Sequence, residues 1–195
     1  MKKAFTALSL MLATFPAAAT VHIFSAPLRG ADEVPAVVTT GTGNTLVTID
    51  DVAHTLRVQA TFSGLVGNTT LAHIHCCTPP GSNADVATEL PSFPAFPTGV
   101  QSGTYDATFD TTDVGTYNPD FVTANGGTAA GAEAALISAA QIGYAYLNIH
   151  TSFVGSGEIR GVLQPVPEPG TYALLALGLV GLGLVQAHRR RNPIA

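Results

Sequence analysis

Asn44-Thr45-Leu46-Val47-Thr48-Ile49-Asp50 and Thr55-Leu56-Arg57-Val58-Gln59-Ala60-Thr61-Phe62 are two short β-branched runs separated by Asp51-Val52-Ala53-His54. They read as two strands joined by a hairpin loop over 50–54. Five more runs between Gly and Pro punctuation read the same way: 21–25, 70–76, 103–109, 143–151 and 157–164. The last two face each other across 152–156, which contains Gly155. One stretch breaks the pattern. Residues 128–141 are rich in Ala and predict a helix, with Gly143 placed to stop it. Residues 77–99 carry Pro79, Pro80, Pro91, Pro94 and Pro97 and read as a long irregular crossover, a kind of loop that is usually functional or disordered. The pattern predicts an all-β sandwich or barrel with one short helix.

Composition narrows the partners. The 195 residues are 46% hydrophobic and only 11% charged, with mean hydropathy +0.31. Much of the apolar weight sits at the two ends. The 146 residues between them, 20–165, hold three cations (Arg29, Arg57, Arg160), no Lys and twelve acids, for a net charge of −9. Such a domain does not bind nucleic acid phosphate unaided.

The ends read as addresses. Lys2 and Lys3, an apolar run over 4–15 and Ala17-Ala18-Ala19 have the layout of a secretory signal peptide over 1–19, so the mature chain enters an oxidising space. At the other end Val166-Pro167-Glu168-Pro169-Gly170 precedes an apolar run over 171–187 and then Arg189, Arg190 and Arg191. Seventeen helical residues span about 26 Å, close to a bilayer core, and the Arg cluster stays cytoplasmic. This is the layout of a membrane helix. Residues 166–195 resemble the PEP-CTERM sorting signal of Gram-negative bacteria; an ordinary single-span anchor is the alternative. The resemblance implies an exosortase-type processing enzyme as partner, an inner-membrane precursor, and delivery to the cell surface or extracellular matrix.

Within the core, several blocks occur in order: Leu28-Arg29-Gly30-Ala31-Asp32-Glu33-Val34-Pro35, Gly64-Leu65, Ala72-His73-Ile74-His75, Tyr146-Leu147-Asn148-Ile149-His150-Thr151 and Gly157-Glu158-Ile159-Arg160-Gly161. Together they resemble the CHRD domain, named from chordin, and the domain is expected over 20–165. The resemblance implies an immunoglobulin-like or superoxide-dismutase-like Greek-key β-sandwich. The loop opening Cys76-Cys77-Thr78-Pro79-Pro80-Gly81 departs from the Gly-Pro-type turns usual in the family.

Three places can carry chemistry. His73 and His75 lie two apart on one strand and therefore project from one face, about 6.5–7 Å apart along the chain. His150 supplies a third imidazole if its strand is adjacent, and three imidazoles with an open position suit copper or zinc. The strand also resembles the copper strand of copper–zinc superoxide dismutase, with Ala72 where an aromatic residue is expected and only His22 and His54 left as further imidazoles. The competing reading is three hydrogen-bonded structural histidines. Cys76 and Cys77, the only cysteines, leave three options: a vicinal disulfide, free thiols or pairing with another chain. A trans peptide between them would set their Cα atoms about 3.8 Å apart, below the usual disulfide range. Glu158 and Arg160 share a face of the last strand and read as a structural ion pair or network. Asp106, Asp110, Asp113 and Asp120 lack EF-hand spacing. No Gly-x-Ser-x-Gly elbow or phosphate loop is present. The expectation is an exported surface or matrix module that binds a partner, an exopolysaccharide or matrix protein, rather than catalysing a reaction. The alternative is a copper- or zinc-binding β-sandwich.

Overall fold

A computed structural model describes residues 21–167 together with 178–180, 182 and 186. The expected signal peptide over 1–19, most of the apolar run over 171–187 and its Arg cluster lie outside the described residues. Among the described residues no helix is long and apolar enough to cross a membrane.

The domain is all-β, as expected. Its strands are β1 (Val21–Arg29), β2 (Thr42–Asp50), β3 (Thr55–Ser63), β4 (Thr69–Cys76), β5 (Asp85–Val86), β6 (Gly103–Asp110), β7 (Ala145–Thr151), β8 (Ile159–Val162) and β9 (Gln164–Pro165). The hairpin inferred from 44–62 forms, with Thr48 opposite Arg57, and Asp50 Oδ1 accepts from the amides of Val52 and Ala53 to hold the turn. The helix expected over 128–141 is α2 (Ala129–Gln141). Thr128 caps it by accepting from the Gly131 amide, and Gly143 follows at φ +74, where an L side chain is strained. A shorter helix, α1 (Pro119–Ala124), has no counterpart in the sequence reading. It starts at a capping Asn118 followed by Pro119, a signal that was legible but lies within only six helical residues.

The strands form one antiparallel sheet in the order β5-β4-β7-β8-β1-β2-β3-β6, with β9 beside β1, and the sheet's two halves make the layers of the expected sandwich. The sheet curls so that both halves bury side chains in one core, from Leu28, Val47 and Val58 on one side to Ile74, Ile149 and Ile159 on the other. The corner is the final strand. Arg160 stands opposite Arg29, and Gln164 and Pro165 stand opposite Ser25 and Phe24, so β8 and β9 follow one register against β1. A Cβ on Gly161 would run into the Pro27 carbonyl and the Ala26 and Leu28 side chains, so only Gly permits this approach.

The half-sheet β4-β7-β8 is buried on both faces. Ala72, Ile74, Leu147, Ile149 and Ile159 face the core, while His73, His75, Tyr146, Asn148, His150 and Arg160 alternate onto the other face and are buried as well. Antiparallel sheets commonly leave that second face wet. Here the long loop over 77–99 also runs along the free edge of β4, where the amides of Ala87 and Phe93 donate to the Ile74 and Ala72 carbonyls.

Candidate metal centre

His73 and His75 project together from β4, as the period-two geometry requires. His150 joins them from β7: its register partner is Leu71, and that of His73 is Asn148, so His150 and His73 are diagonal neighbours. The ring centroids lie 5.3 Å apart for His73–His150, and 5.8 Å apart for both His73–His75 and His75–His150. One ligand nitrogen from each ring falls within 4.8 Å of the other two. The residues are buried, with His73, His75 and His150 3%, 8% and 7% exposed.

Hydrogen bonds fix which nitrogens face inward. His73 Nε2 donates to the Pro91 carbonyl at 2.5 Å, His75 Nδ1 to the Ala84 carbonyl at 2.9 Å, and His150 Nδ1 to the Gly155 carbonyl at 2.9 Å. Each neutral ring has one N–H, so His73 Nδ1, His75 Nε2 and His150 Nε2 keep lone pairs. His75 Nε2 is buried and has no partner. His73 Nδ1 and His150 Nε2 stand 3.4 Å apart. Two nitrogens bound to one tetrahedral zinc stand about 3.4 Å apart. Carbonyl acceptors behind metal-binding histidines serve to set tautomer and ring plane.

Burial pushes the His73 pKa down against the Pro91 bond, and His150 adds to the shift. Burial likewise takes His75 to about 4 and lowers His150. The rings are therefore neutral at pH 7, the form that ligates.

A second layer backs the triad. The Tyr146 ring stacks parallel on His75 at 4.9 Å, and the Arg160 guanidinium lies 4.6 Å over the other partner of that stack, the Tyr146 ring. Arg160 also donates to the Asp32 carbonyl and to Asn83 Oδ1 at 2.9 Å, and its Nε lies 3.7 Å from the buried Glu33 carboxylate. Burial raises Glu33 to about 7, opposed by Arg160.

Glu158 and Arg160 do not pair with each other. Glu158 accepts from Thr39 Oγ1, the amides of Val66 and Gly67, and Thr151 Oγ1 at 2.5–3.0 Å, clasping three segments. Burial alone would raise its pKa, but these four bonds together bring it below the usual glutamate value. Cys76 and Cys77 are joined by a disulfide, with Cα atoms 3.2 Å apart and a cis peptide between them rather than the trans peptide of the sequence reading. The four aspartates are not gathered: Asp106, on β6, pairs with Arg57 at 2.7 Å, Asp110 and Asp113 hold turns, and Asp120 sits in the first turn of α1. His22 and His54 lie elsewhere, against Asp51 and Glu133.

Sequence reasoning missed Tyr146, Asn148 and Glu33. Tyr146, Asn148 and His150 are two apart along β7, so their shared face was legible once the strand was recognised. Nothing local points to Glu33 or to the three carbonyl acceptors.

A model of the CHRD domain matches residues 24–163. The chain belongs to the CHRD family. A PEP-CTERM protein-sorting motif matches residues 165–191, directly after the CHRD domain. The motif marks an exported protein that an exosortase sorts to the cell surface. Val166 and Pro167, near the start of the motif, are exposed just after β9, and the Val166 amide still donates to the Ile23 carbonyl of β1 at 2.8 Å. No curated protein and no solved structure matches the chain.

Proposed function

We propose that the CHRD domain is an exported, surface-displayed module that holds a copper or zinc ion through His73, His75 and His150. The observation that carries this reading is the convergence of three imidazole lone pairs. The opposite nitrogen of each ring is already committed to a carbonyl, and His75 Nε2 has no other partner. In the absence of a cation, His73 Nδ1 and His150 Nε2 turn lone pairs toward each other at 3.4 Å, an arrangement that costs free energy. Binding rather than catalysis suits rings so fully covered by loops. In this reading the apolar run over 171–187 holds the precursor at the inner membrane until an exosortase-type enzyme cuts near Pro167-Glu168-Pro169. The released domain then associates with exopolysaccharide or a matrix protein at the surface.

The test is elemental analysis of untagged protein, with melting curves run with and without zinc or copper. One ion per chain and a metal-dependent rise in Tm are expected, because the unfolded chain has no preformed site. A wild-type protein that melts identically with and without either metal overturns the reading.

A further inference from the structure

The centre's surroundings discriminate between ions by charge. The three donors are neutral, and the group His73, His75 and His150 includes no carboxylate or thiolate. Both cysteines are committed to their disulfide. The fixed charge nearest in the stacking order is positive: Arg160 lies on Tyr146, and Tyr146 lies on His75. Glu33 is the carboxylate within ion-pair reach of Arg160, and with its pKa raised to about 7 it offsets the guanidinium only in part at neutral pH. Charge burial cost grows steeply with ionic charge, so a dication entering this pocket meets a larger desolvation cost than a monocation, and more repulsion.

We infer that the three-imidazole centre is built for a monovalent soft cation, cuprous copper, and that Arg160 sets this preference through the Tyr146–His75 stack. The inference rests on the metal-binding reading above. Imidazole is a donor that suits copper, and three neutral nitrogens can satisfy a cuprous ion without an anionic ligand. Zinc and cupric ions bring a second positive charge that none of the three imidazole donors neutralises. At a separation of about 10 Å and an effective dielectric of about 20, one extra unit of charge opposite Arg160 corresponds to roughly tenfold in affinity.

The experiment uses the full chain, stripped of metal. Cuprous ion is titrated under anaerobic, reducing conditions that leave the disulfide intact, against a chromophoric cuprous chelator. Zinc is titrated in parallel against a zinc indicator. The expected result is a cuprous affinity at least about tenfold above the zinc affinity, narrowed about tenfold by Arg160→Met. Glu33→Gln removes the partial compensation and widens the preference, so it provides a reading even if Arg160→Met does not fold. Zinc bound as tightly as cuprous ion by the wild type overturns the cuprous assignment while leaving a metal site. Neither ion bound overturns both this inference and the function on which it rests. A ratio unchanged in Glu33→Gln and in a folded Arg160→Met overturns the role of Arg160.

Discussion

His73 Nδ1 and His150 Nε2, from two different strands, face each other at 3.4 Å, and each ring spends its only N–H on a loop carbonyl. Removing one ring should therefore act differently with and without metal. His75→Ala and His73→Ala should each lose the metal-dependent rise in Tm. His54→Ala, whose ring pairs with Glu133 at a half-exposed turn, should keep it. Paired melting curves with copper or zinc check this. Equal metal-dependent shifts in His75→Ala and wild type would contradict the site.

Glu158 closes the domain by accepting from four donors on the segments around Thr39, Val66 and Thr151. Glu158→Ala removes the acceptor from four donors, of which the Gly67 amide and Thr151 Oγ1 bonds are fully buried, and should cost about 2–4 kcal/mol. Its lowered pKa means that the contribution is present above the unfolded value near 4.5 and is lost as pH falls. Urea unfolding at pH 7 reads the loss, and a change under about 1 kcal/mol would show that the clasp is not what holds these loops.

Gly161 carries the corner of the sheet. Gly161→Ala places a methyl against the Pro27 carbonyl and the flanking Ala26 and Leu28 side chains. The last strand must then separate from β1, at a cost of about 2–3 kcal/mol. Gly155→Ala, with open space around the position, is the control and should stay within about 0.5 kcal/mol. Both are compared by chemical denaturation.

Glu33 gives the pH dependence a definite sign. Its pKa rises from 4.5 to about 7 on folding, first through burial. The folded state therefore binds more protons than the unfolded state between those values. The stability from this group is complete below about 4.5 and is lost as pH rises to about 7. Stability of the wild type relative to Glu33→Gln should be greater at pH 5 than at pH 8, by about 3 kcal/mol at most. Denaturation midpoints of both proteins at the two pH values decide it. A difference that is flat with pH would show Glu33 to be ionised throughout.

Sorting should separate from folding. Replacing Pro167 and Glu168 together should block processing while the CHRD domain still folds, because Pro167 is exposed beyond β9. Replacing Arg189, Arg190 and Arg191 should disturb topology, since they supply the positive-inside bias. Immunoblots of cell fractions distinguish precursor from processed product. Normal accumulation of the processed form in the first variant would show that the motif is not the recognition element.

What could be read from residues alone was what depends on local physics. The 44–62 hairpin was legible because β-branched runs and a turn occupy adjacent residues. So was α2, because an Ala-rich run, the Thr128 cap and the Gly143 stop all act within a few residues. The shared face of His73 and His75 followed from the two-residue period of a strand. The tertiary structure decided everything that depends on register and crossovers. It set His150 diagonally across from His73, and it joined the two expected layers into one curled sheet through the final strand. It also brought the Ala84, Pro91 and Gly155 carbonyls onto the outer nitrogens of the triad. A backbone carbonyl leaves no mark in composition or spacing, so only the folded path of the chain could show which nitrogens were left to bind an ion.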